Sequence, residues 1–367
     1  MNMLQRLYAE FGQSPWIDSI DRHLIESGEL GRLIGAGIRG LTSNPTIFAK
    51  AVGAGHYDDL IERLHGEGAD GRAIYEAIAV GDICDAADLL RPVYDAADGG
   101  DGLASIEVEP ALAHDTEATL RRARELWALV DRPNIFVKIP ATPAGLPAIE
   151  AALAEGINVN ITLLFSVAVY REVARAYLRG LSQRVAAGGD VRRAASVASF
   201  FVSRVDTSVD RRLEAVGSAA HLAARGTAAV ANARLAYRIY GEIFSGPEFV
   251  ELRAAGARVQ RPLWASTSTK NPAYPDVLYV DGLIGPDTVN TMPRETIDAF
   301  LDHGSLRRTL DADPDEAADR LAALEQLGIS MVAVTDELLA DGVRAFAASF
   351  DELMATIEAK RGALAGR

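Results

Sequence analysis

The chain has 367 residues, of which 49% are hydrophobic and 24% are charged, a balance typical of a globular protein with a large core. Its formal net charge of −14 repels phosphate backbones, so nucleic acids and anionic membranes are not expected partners. Small anionic substrates are not excluded, because a local cluster of cations can outweigh the field of distant carboxylates.

The cysteine content and the amino-terminal residues indicate the cellular compartment. The single cysteine, Cys84, excludes an internal disulfide and fits a reducing environment. Residues 1–13 contain Arg6 and Glu10 and no long apolar core, so we expect no signal peptide, and no apolar run reaches membrane length. We therefore predict a cytoplasmic protein that does not enter a membrane. We also expect a monomer or a homodimer.

Short apolar runs alternate with longer amphipathic segments along the chain, a pattern typical of parallel strands connected by helices. Eight runs have strand character, and they are residues 16–20, 40–43, 104–109, 135–139, 159–163, 197–202, 263–266 and 288–292. The clearest helices are predicted at residues 116–129, 166–181 and 336–359. We predict an α/β fold, a closed (β/α)8 TIM barrel that forms a single domain over residues 1–367.

The connection after the sixth strand is longer than a usual crossover and rich in alanine. Residues 206–244 predict one or two added helices, in a helical insertion around residues 206–260. The sequence alone does not say whether this insertion forms an interface or a lid.

Lys138 occupies an unusual position for a lysine. Of the 37 lysines and arginines only four are lysines, Lys50, Lys138, Lys270 and Lys360, and Lys138 lies inside an apolar strand-like run. Burying a cation without a partner is costly, so such an amine tends to lose its proton. A neutral amine is a nucleophile toward carbonyls, whereas arginine stays protonated.

Other polar side chains occur near the ends of the predicted strands, where a barrel places its catalytic groups. With Lys138 they are Asp18, Asn44, Glu107, Asn160, Thr162, Ser199, Arg204, Ser266 and Lys270. No pair of His or Cys residues has metal-ligand spacing, and no glycine-rich phosphate loop is present, so we expect neither a metal nor a cofactor.

Several of these residues have a purely structural alternative. Asp18 could cap the helix that follows it, and Asn44 with Pro45 could form a plain turn. Asn160 and Thr162 could satisfy backbone groups at a strand end.

Ion pairing offers a structural alternative for the charged residues. Arg204 could pair with Asp206, and Glu107 could form a structural ion pair with Lys138. A structural explanation, however, needs a separate reason for the polar residue of each strand. One site that faces the barrel interior explains all of these polar residues together.

Six motifs occur in order along the chain: GLTSNPT at 40–46, SIEV at 105–108, FVKIPAT at 136–142, GINVNITLLF at 156–165, SFFVSR at 199–204 and LWASTSTKNP at 263–272. Together they resemble transaldolase in its longer bacterial form. This resemblance implies a barrel of the class I aldolase type and an enzyme of the pentose phosphate pathway. Such a transferase moves a dihydroxyacetone unit from sedoheptulose 7-phosphate to glyceraldehyde 3-phosphate, giving erythrose 4-phosphate and fructose 6-phosphate, without a cofactor.

The resemblance also implies catalytic roles at matching positions. Lys138 would form the Schiff base with the sugar, and Asp18 would act as the acid and base on its hydroxyls. Glu107 would handle the catalytic water, which Thr162 would help to hold. Among the other lysines, only Lys270 is expected to compete with Lys138 within the site.

Binding roles follow in the same way. Asn44 and Asn160 would hydrogen-bond the dihydroxyacetone part of the sugar, and Phe201 would shield the reactive intermediate from water. The positions assigned to the phosphate are Ser199, Arg204, Ser266 and Lys270. The family often has arginine where this chain has lysine at 270.

Two alternatives belong to other classes. An aldolase of the fructose 6-phosphate or deoxyribose-phosphate type could use the same barrel. Fructose 6-phosphate aldolases tend to carry glutamine at the position of Glu107 and tyrosine at that of Phe201, which favours the transferase. A barrel kept as a scaffold would be expected to lose Lys138, Asp18 or Glu107, and this chain retains all three.

Overall fold

The computed structural model describes residues 1–312 and 314–365. Eight parallel strands form a closed barrel in chain order, with β8 hydrogen-bonded to β1. The strands are β1 Gln13–Ile17, β2 Gly40–Leu41, β3 Leu103–Glu107, β4 Ile135–Pro140, β5 Val159–Leu164, β6 Ser196–Phe201, β7 Arg261–Ala265 and β8 Thr288–Met292. The prediction of a (β/α)8 barrel is confirmed.

Helices lie between the strands and surround the barrel. Those up to β5 are α1 Met3–Phe11, α2 Arg22–Glu26, α3 Glu29–Ala36, α4 Pro45–Gly53, α5 Asp58–Gly66, α6 Gly71–Ala96, α7 Thr116–Val130 and α8 Gly145–Glu155, with a 3-10 turn at Pro110–Leu112. Those after β5 are α9 Val167–Ala186, α10 Ser203–Val216, α11 Ala219–Ala223, α12 Ala228–Phe244, α13 Pro247–Ala254, α14 Leu278–Asp281, α15 Arg294–His303, α16 Pro314–Gln326 and α17 Met331–Ala365. None of the helices in the described ranges is both long and apolar enough to cross a bilayer.

The first two strands differ from their predicted bounds. β1 begins at Gln13 rather than Trp16, because its polar residues find partners inside the barrel wall: Gln13 Nε2 donates to the carbonyl oxygen of Leu283 at 2.6 Å and to Thr288 Oγ1 at 2.9 Å. β2 ends at Leu41 rather than at residue 43. Asn44 already caps α4, so the chain must leave the sheet before it.

Side-chain caps begin two of the longer helices. Asp115 accepts the backbone N–H of Ala118 at 2.9 Å at the start of α7, and Ser166 accepts that of Val169 at 3.4 Å at the start of α9. Both side chains satisfy a donor that the first turn of a helix leaves free.

Four helices, α10 to α13, connect β6 to β7. The stretch predicted to hold one or two helices is divided at Gly217 and Gly226, whose φ angles of +72° and +69° lie in the left-handed region. A glycine adopts this conformation without steric cost, so Gly217 ends α10 and Gly226 forms part of the turn between α11 and α12.

The longest helix, α17, lies across the carboxyl-terminal end of the barrel beside α4. Thr46 Oγ1 donates to Ser349 Oγ at 2.9 Å, and Lys360 pairs with Asp58 of α5. This packing brings Phe346 over the mouth of the barrel, so a segment remote in sequence contributes to the site there.

Candidate functional site

A cavity of about 370 Å³ opens at the carboxyl ends of the strands. Most of the predicted site residues line it, namely Asp18, Asn44, Lys138, Thr162, Ser199, Phe201, Arg204, Ser266 and Lys270. Glu107 and Asn160 do not line it; they lie in the barrel wall beside residues that do. The structure thus brings together side chains from at least six different strands or strand ends, as one shared site requires.

A second cavity, of about 540 Å³, lies at the opposite end of the barrel. It is lined by residues at the amino ends of strands, including Leu103, Ser196 and Arg261. Although it is larger, catalytic groups in barrels of this kind lie at the carboxyl ends, and the predicted polar cluster is absent from its lining.

Lys138 lies on β4 and is only 4% exposed. Its Nζ donates to the carbonyl oxygen of Ser43 at 2.9 Å and lies 3.3 Å from Glu107 Oε2. The ion pair considered as a structural alternative therefore exists. The amine also lines the cavity, so it is both held in position and reachable by a ligand.

Glu107 is paired in register with Lys138 across β3 and β4. Burial raises the pKa of its carboxyl, and the nearby Lys138 amine opposes that rise while the Asp18 carboxylate adds to it. A carboxyl in this setting retains a proton at higher pH than an exposed one, as a proton donor near the amine would need.

Asp18 follows β1 and faces the same cavity. Its Oδ1 accepts the hydroxyl of Thr42 at 2.7 Å, and Thr42 also lies 2.8 Å from Thr291 Oγ1. Burial raises the pKa of Asp18, opposed by the Thr42 hydrogen bond and by the charges of Lys138 and Arg204. Helix α2 is capped by Asp21 instead, so the alternative that Asp18 is a helix cap is wrong.

The two asparagines occupy different places. Asn44 Oδ1 accepts the N–H of Ile47 at 3.1 Å as the cap of α4, and the residue also lines the cavity. Asn160 is 0% exposed; its Nδ2 donates to Ser105 Oγ at 3.1 Å and its Oδ1 accepts Ser199 Oγ at 2.6 Å. Asn160 therefore positions Ser199 from within the wall.

Thr162 lies on β5, the strand that pairs with the strand of Lys138. Its side chain is 0% exposed and lines the cavity. Within the described ranges its Oγ1 has no hydrogen-bond partner, and a buried hydroxyl without one is costly. A hydroxyl so placed can hold a ligand atom at the cavity wall.

Arg204, the second residue of α10, also lines the cavity. Its guanidinium carbon lies 5.2 Å from the ring centre of Phe201 and 6.0 Å from that of Phe346. Asp206 instead accepts the N–H of Ala229 at 2.8 Å and the hydroxyl of Tyr279 at 2.9 Å, so the proposed Arg204–Asp206 pair is absent.

The electrostatic setting of Arg204 favours an anion. Burial lowers the pKa of its guanidinium, and the charge of Asp18 opposes this effect. An arginine nevertheless stays protonated. A partly buried cation held between aromatic rings gains most from an anionic ligand that approaches through the cavity.

Ser266 and Lys270 also line the cavity. Ser266 has a φ of +55°, in the left-handed region, and its Oγ lies 2.9 Å from Ser203 Oγ. Lys270 Nζ donates to Ser268 Oγ at 2.6 Å. Hydroxyls and cations here offer donors suited to a phosphate group.

Some lining residues were not predicted from the sequence. Lys50 of α4 and Phe346 of α17 both line the cavity, so the expectation that only Lys270 competes with Lys138 is wrong. The scarcity of lysine was the available signal, since three of the four lysines line this one cavity. Phe346 left no such signal, because its position depends on how α17 packs.

This arrangement suits covalent chemistry on a carbonyl. A positioned amine lies 3.3 Å from the Glu107 carboxyl, and Asp18, Arg204 and Lys270 line the same cavity. The pKa values of both carboxyls are raised by burial. Within the described residues, no group of three or more His, Cys, Asp or Glu side chains could hold a metal ion. The side chains present can form an imine, move protons and bind an anionic group.

Known proteins resemble this chain over most of its length. The family model described as transaldolase/fructose-6-phosphate aldolase matches residues 15–357. A transaldolase of Parafrankia sp. (strain EAN1pec) is 51% identical over 96% of this chain and 97% of its own. Transaldolases of Acidothermus cellulolyticus and Thiobacillus denitrificans are 53% and 49% identical, over 94% and 95% of this chain and 94% and 98% of their own.

Proposed function

Because the chain belongs to the transaldolase/fructose-6-phosphate aldolase family, as its motifs indicated, we propose that it is a transferase acting through a Schiff base on Lys138. It moves a dihydroxyacetone unit from sedoheptulose 7-phosphate to glyceraldehyde 3-phosphate, and the products are erythrose 4-phosphate and fructose 6-phosphate. The observation that carries this proposal is the buried amine of Lys138, held by Ser43 and Glu107 at the wall of a cavity that also contains Arg204.

The first step joins the amine to the sugar. Neutral Lys138 attacks the ketone carbon, and the resulting carbinolamine loses water to become an iminium ion. That loss needs a proton donor close to the amine. Glu107, 3.3 Å away with a raised pKa, supplies the proton, and the hydroxyl of Thr162 helps to hold the departing water.

The second step breaks a carbon–carbon bond. Asp18 accepts the proton of the hydroxyl on the fourth carbon as the bond between the third and fourth carbons breaks. The electron pair of that bond moves into the iminium, which becomes an enamine, and erythrose 4-phosphate leaves. Thr42 keeps the Asp18 carboxylate oriented through its 2.7 Å hydrogen bond.

Transfer then reverses these movements on a new aldehyde. The enamine carbon bonds to the carbonyl carbon of glyceraldehyde 3-phosphate, and Asp18 returns its proton to the new hydroxyl. Water releases fructose 6-phosphate from the iminium and regenerates the lysine. Phe201, packed against Phe165 with ring centres 5.3 Å apart, shields the enamine from water between the two halves of the reaction.

Binding of the phosphate orients the substrate rather than breaking bonds. Arg204, Lys270, Ser266 and Ser199 line the same cavity as Lys138 and Asn44, and Asn160 positions Ser199. In the proposed complex the phosphate binds at Arg204, Lys270, Ser266 and Ser199, and the ketone carbon reacts at Lys138. A cytoplasmic location and an assembly of one or two copies remain predictions from the sequence.

A coupled assay with sedoheptulose 7-phosphate and glyceraldehyde 3-phosphate tests the activity. The alternative, a fructose 6-phosphate aldolase, would release free dihydroxyacetone from fructose 6-phosphate instead of transferring it. We expect transfer to exceed release. Release without transfer would replace the proposal with the aldolase.

Borohydride trapping tests the covalent step. Reduction in the presence of fructose 6-phosphate should leave a dihydroxyacetone-sized adduct, located by peptide mass spectrometry on Lys138. Lys50 and Lys270 line the same cavity and act as internal comparisons, and Lys360, paired with Asp58 outside it, reports non-specific reduction. An adduct on Lys50 or Lys270 in place of Lys138 would overturn the assignment.

A further inference from the structure

The segment that carries Lys270 is an exposed connection rather than part of a helix or strand. Residues 269–276, here named the Lys270 loop, lie between β7 and α14 and are exposed or half-buried. On either side the chain is firmly held. Thr267 Oγ1 donates to Asn290 Oδ1 at 2.9 Å, and Tyr279 of α14 is buried with its hydroxyl on Asp206.

Two side-chain bonds tie the Lys270 loop to other elements in the part of the chain that the structure describes. The hydroxyl of Tyr274 donates to Asp210 Oδ2 of α10 at 2.7 Å. Asp276 Oδ1 lies 2.8 Å from His303 Nε2 of α15, and both of these side chains are largely exposed. An exposed pair of this kind contributes little to stability, so the Tyr274 contact is the stronger tie.

The acceptor of that bond is itself fixed. Asp210 is buried, and its Oδ1 accepts the N–H of Gly226 at 2.9 Å. Gly226 has a φ of +69°, and a Cβ added there would lie 2.8 Å from the ring of Tyr274. Glycine therefore permits both the turn and the close approach of the tyrosine ring.

The Tyr274 hydroxyl keeps its proton, which favours its hydrogen bond to Asp210. Burial and the neighbouring Asp210 carboxylate raise the pKa of its hydroxyl well above the ordinary value. The hydroxyl therefore remains a donor, and its bond to a charged acceptor is of the stronger kind.

Asp210 belongs to the same helix as Arg204. Arg204 and Asp210 are six positions apart on α10, which is about 9 Å along a helix axis. Through Tyr274 the Lys270 loop is thus bound to the helix that carries Arg204, a second cation assigned to the phosphate.

We propose that the bond between Tyr274 and Asp210 is a latch that holds the Lys270 loop on α10 and thereby sets the spacing between Lys270 and Arg204 for a substrate phosphate. Tyr274 is a positioning residue, since it acts through Lys270 and does not line the cavity. The role in phosphate spacing rests on the proposed function, which supplies a phosphorylated substrate. The latch itself rests only on the contacts of Tyr274 with Asp210 and Gly226.

Tyr274→Phe tests the latch because it removes one hydroxyl and keeps the ring. We expect faster hydrogen exchange in residues 269–276 and a KM for glyceraldehyde 3-phosphate raised roughly five-fold, less than the full worth of a hydrogen bond to a charged group. The KM for unphosphorylated glyceraldehyde should not change. Tyr237→Phe, which removes a hydroxyl bonded to the carbonyl oxygen of Pro286 at 3.1 Å away from the cavity, is the matched control and should alter neither quantity.

The same substitution made in a Lys270→Met variant shows whether Tyr274 affects KM through Lys270. In Lys270→Met the further change Tyr274→Phe should leave the KM for glyceraldehyde 3-phosphate unaltered. Gly226→Ala, which displaces the ring and keeps the hydroxyl, should reproduce the faster exchange of the loop. If Tyr274→Phe leaves exchange unchanged, the latch is refuted.

Two results would refute the role of the latch in phosphate spacing. One is that Tyr274→Phe changes the KM equally for glyceraldehyde 3-phosphate and glyceraldehyde. The other is that Tyr274→Phe raises the KM for glyceraldehyde 3-phosphate as much in Lys270→Met as in the unaltered chain. Failure of the proposed function would show differently, as absence of transfer by the unaltered chain. In that case the exchange measurement would still decide for or against the latch.

Discussion

Glu107 and Lys138 face each other on adjacent strands, in register and 3.3 Å apart at their charged atoms. A buried ion pair of this kind is weak evidence for stability, because desolvation offsets much of the attraction. Its location beside an open cavity indicates chemistry instead. The carboxyl can give the amine a proton, or take one, without a large movement of either side chain.

Lys138→Arg should abolish transfer while the barrel still folds. Arginine can keep the ion pair with Glu107, but it stays protonated and cannot attack a carbonyl. Transfer rate and the far-ultraviolet circular dichroism spectrum are the measurements. Lys360→Arg, at an ion pair outside the cavity, is the control and should retain full activity; retention of activity in Lys138→Arg would exclude the Schiff base on this residue.

Glu107→Gln should slow formation of the iminium more than binding of the sugar. The amide keeps the shape of the side chain but cannot donate a proton as a carboxyl does, so we expect kcat to fall roughly 100-fold with little change in KM. The rate of borohydride trapping should fall in parallel.

Glu109→Gln is the matched control for Glu107→Gln. Glu109 is also buried but pairs with Arg122 at 3.0 Å and does not line the cavity. We expect this variant to lose stability and keep its kcat. A similar fall in kcat in both variants, with both folded, would assign Glu107 a structural role only.

Arg204→Ala should weaken binding of phosphorylated sugars selectively. Loss of a charge-assisted bond worth about 2 kcal/mol corresponds to a rise of roughly 30-fold in the KM for glyceraldehyde 3-phosphate. The KM for glyceraldehyde should change little. Arg211→Ala, on the same helix but paired at the surface with Glu337 at 3.0 Å, provides the comparison. Equal effects on both acceptors would remove Arg204 from the phosphate site.

Much of the site could be predicted because strand ends are readable from sequence. Polar residues inside a predicted apolar strand, such as Lys138 and Thr162, or just after one, such as Arg204, are expected near the carboxyl end of a barrel, and all three line the cavity. The sequence did not predict how deeply each of these side chains is buried in the barrel wall. Asn160 is enclosed by Ser105 and Ser199, which the register of three strands brings together.

Other features depend on packing between remote segments. The start of β1 was hidden because Gln13 is polar, and its partners lie some 270 residues later at Leu283 and Thr288. Phe346 reaches the cavity only because α17 crosses the barrel beside α4. Local patterns carry no information on contacts of this range, since each segment alone is compatible with several packings.

Asp206→Asn should change how stability depends on pH. Asp206 is a buried residue of α10, and burial raises the pKa of its carboxyl to about 6. The folded protein therefore binds a proton that the unfolded chain has released between about pH 4 and pH 6. The stabilisation that this proton linkage provides is complete below that window and is lost as the pH rises through it.

Asparagine at 206 cannot titrate, yet its oxygen can still accept the N–H of Ala229, which lies 2.8 Å from the present carboxylate. Relative to the variant, the unaltered chain should lose up to about 3 kcal/mol of unfolding free energy between pH 4 and pH 6 and remain level above pH 6. Urea denaturation at pH 4.5, 5.5 and 7.5 measures the difference. A difference that does not vary with pH would show that Asp206 has an ordinary pKa and is held charged by its two hydrogen bonds.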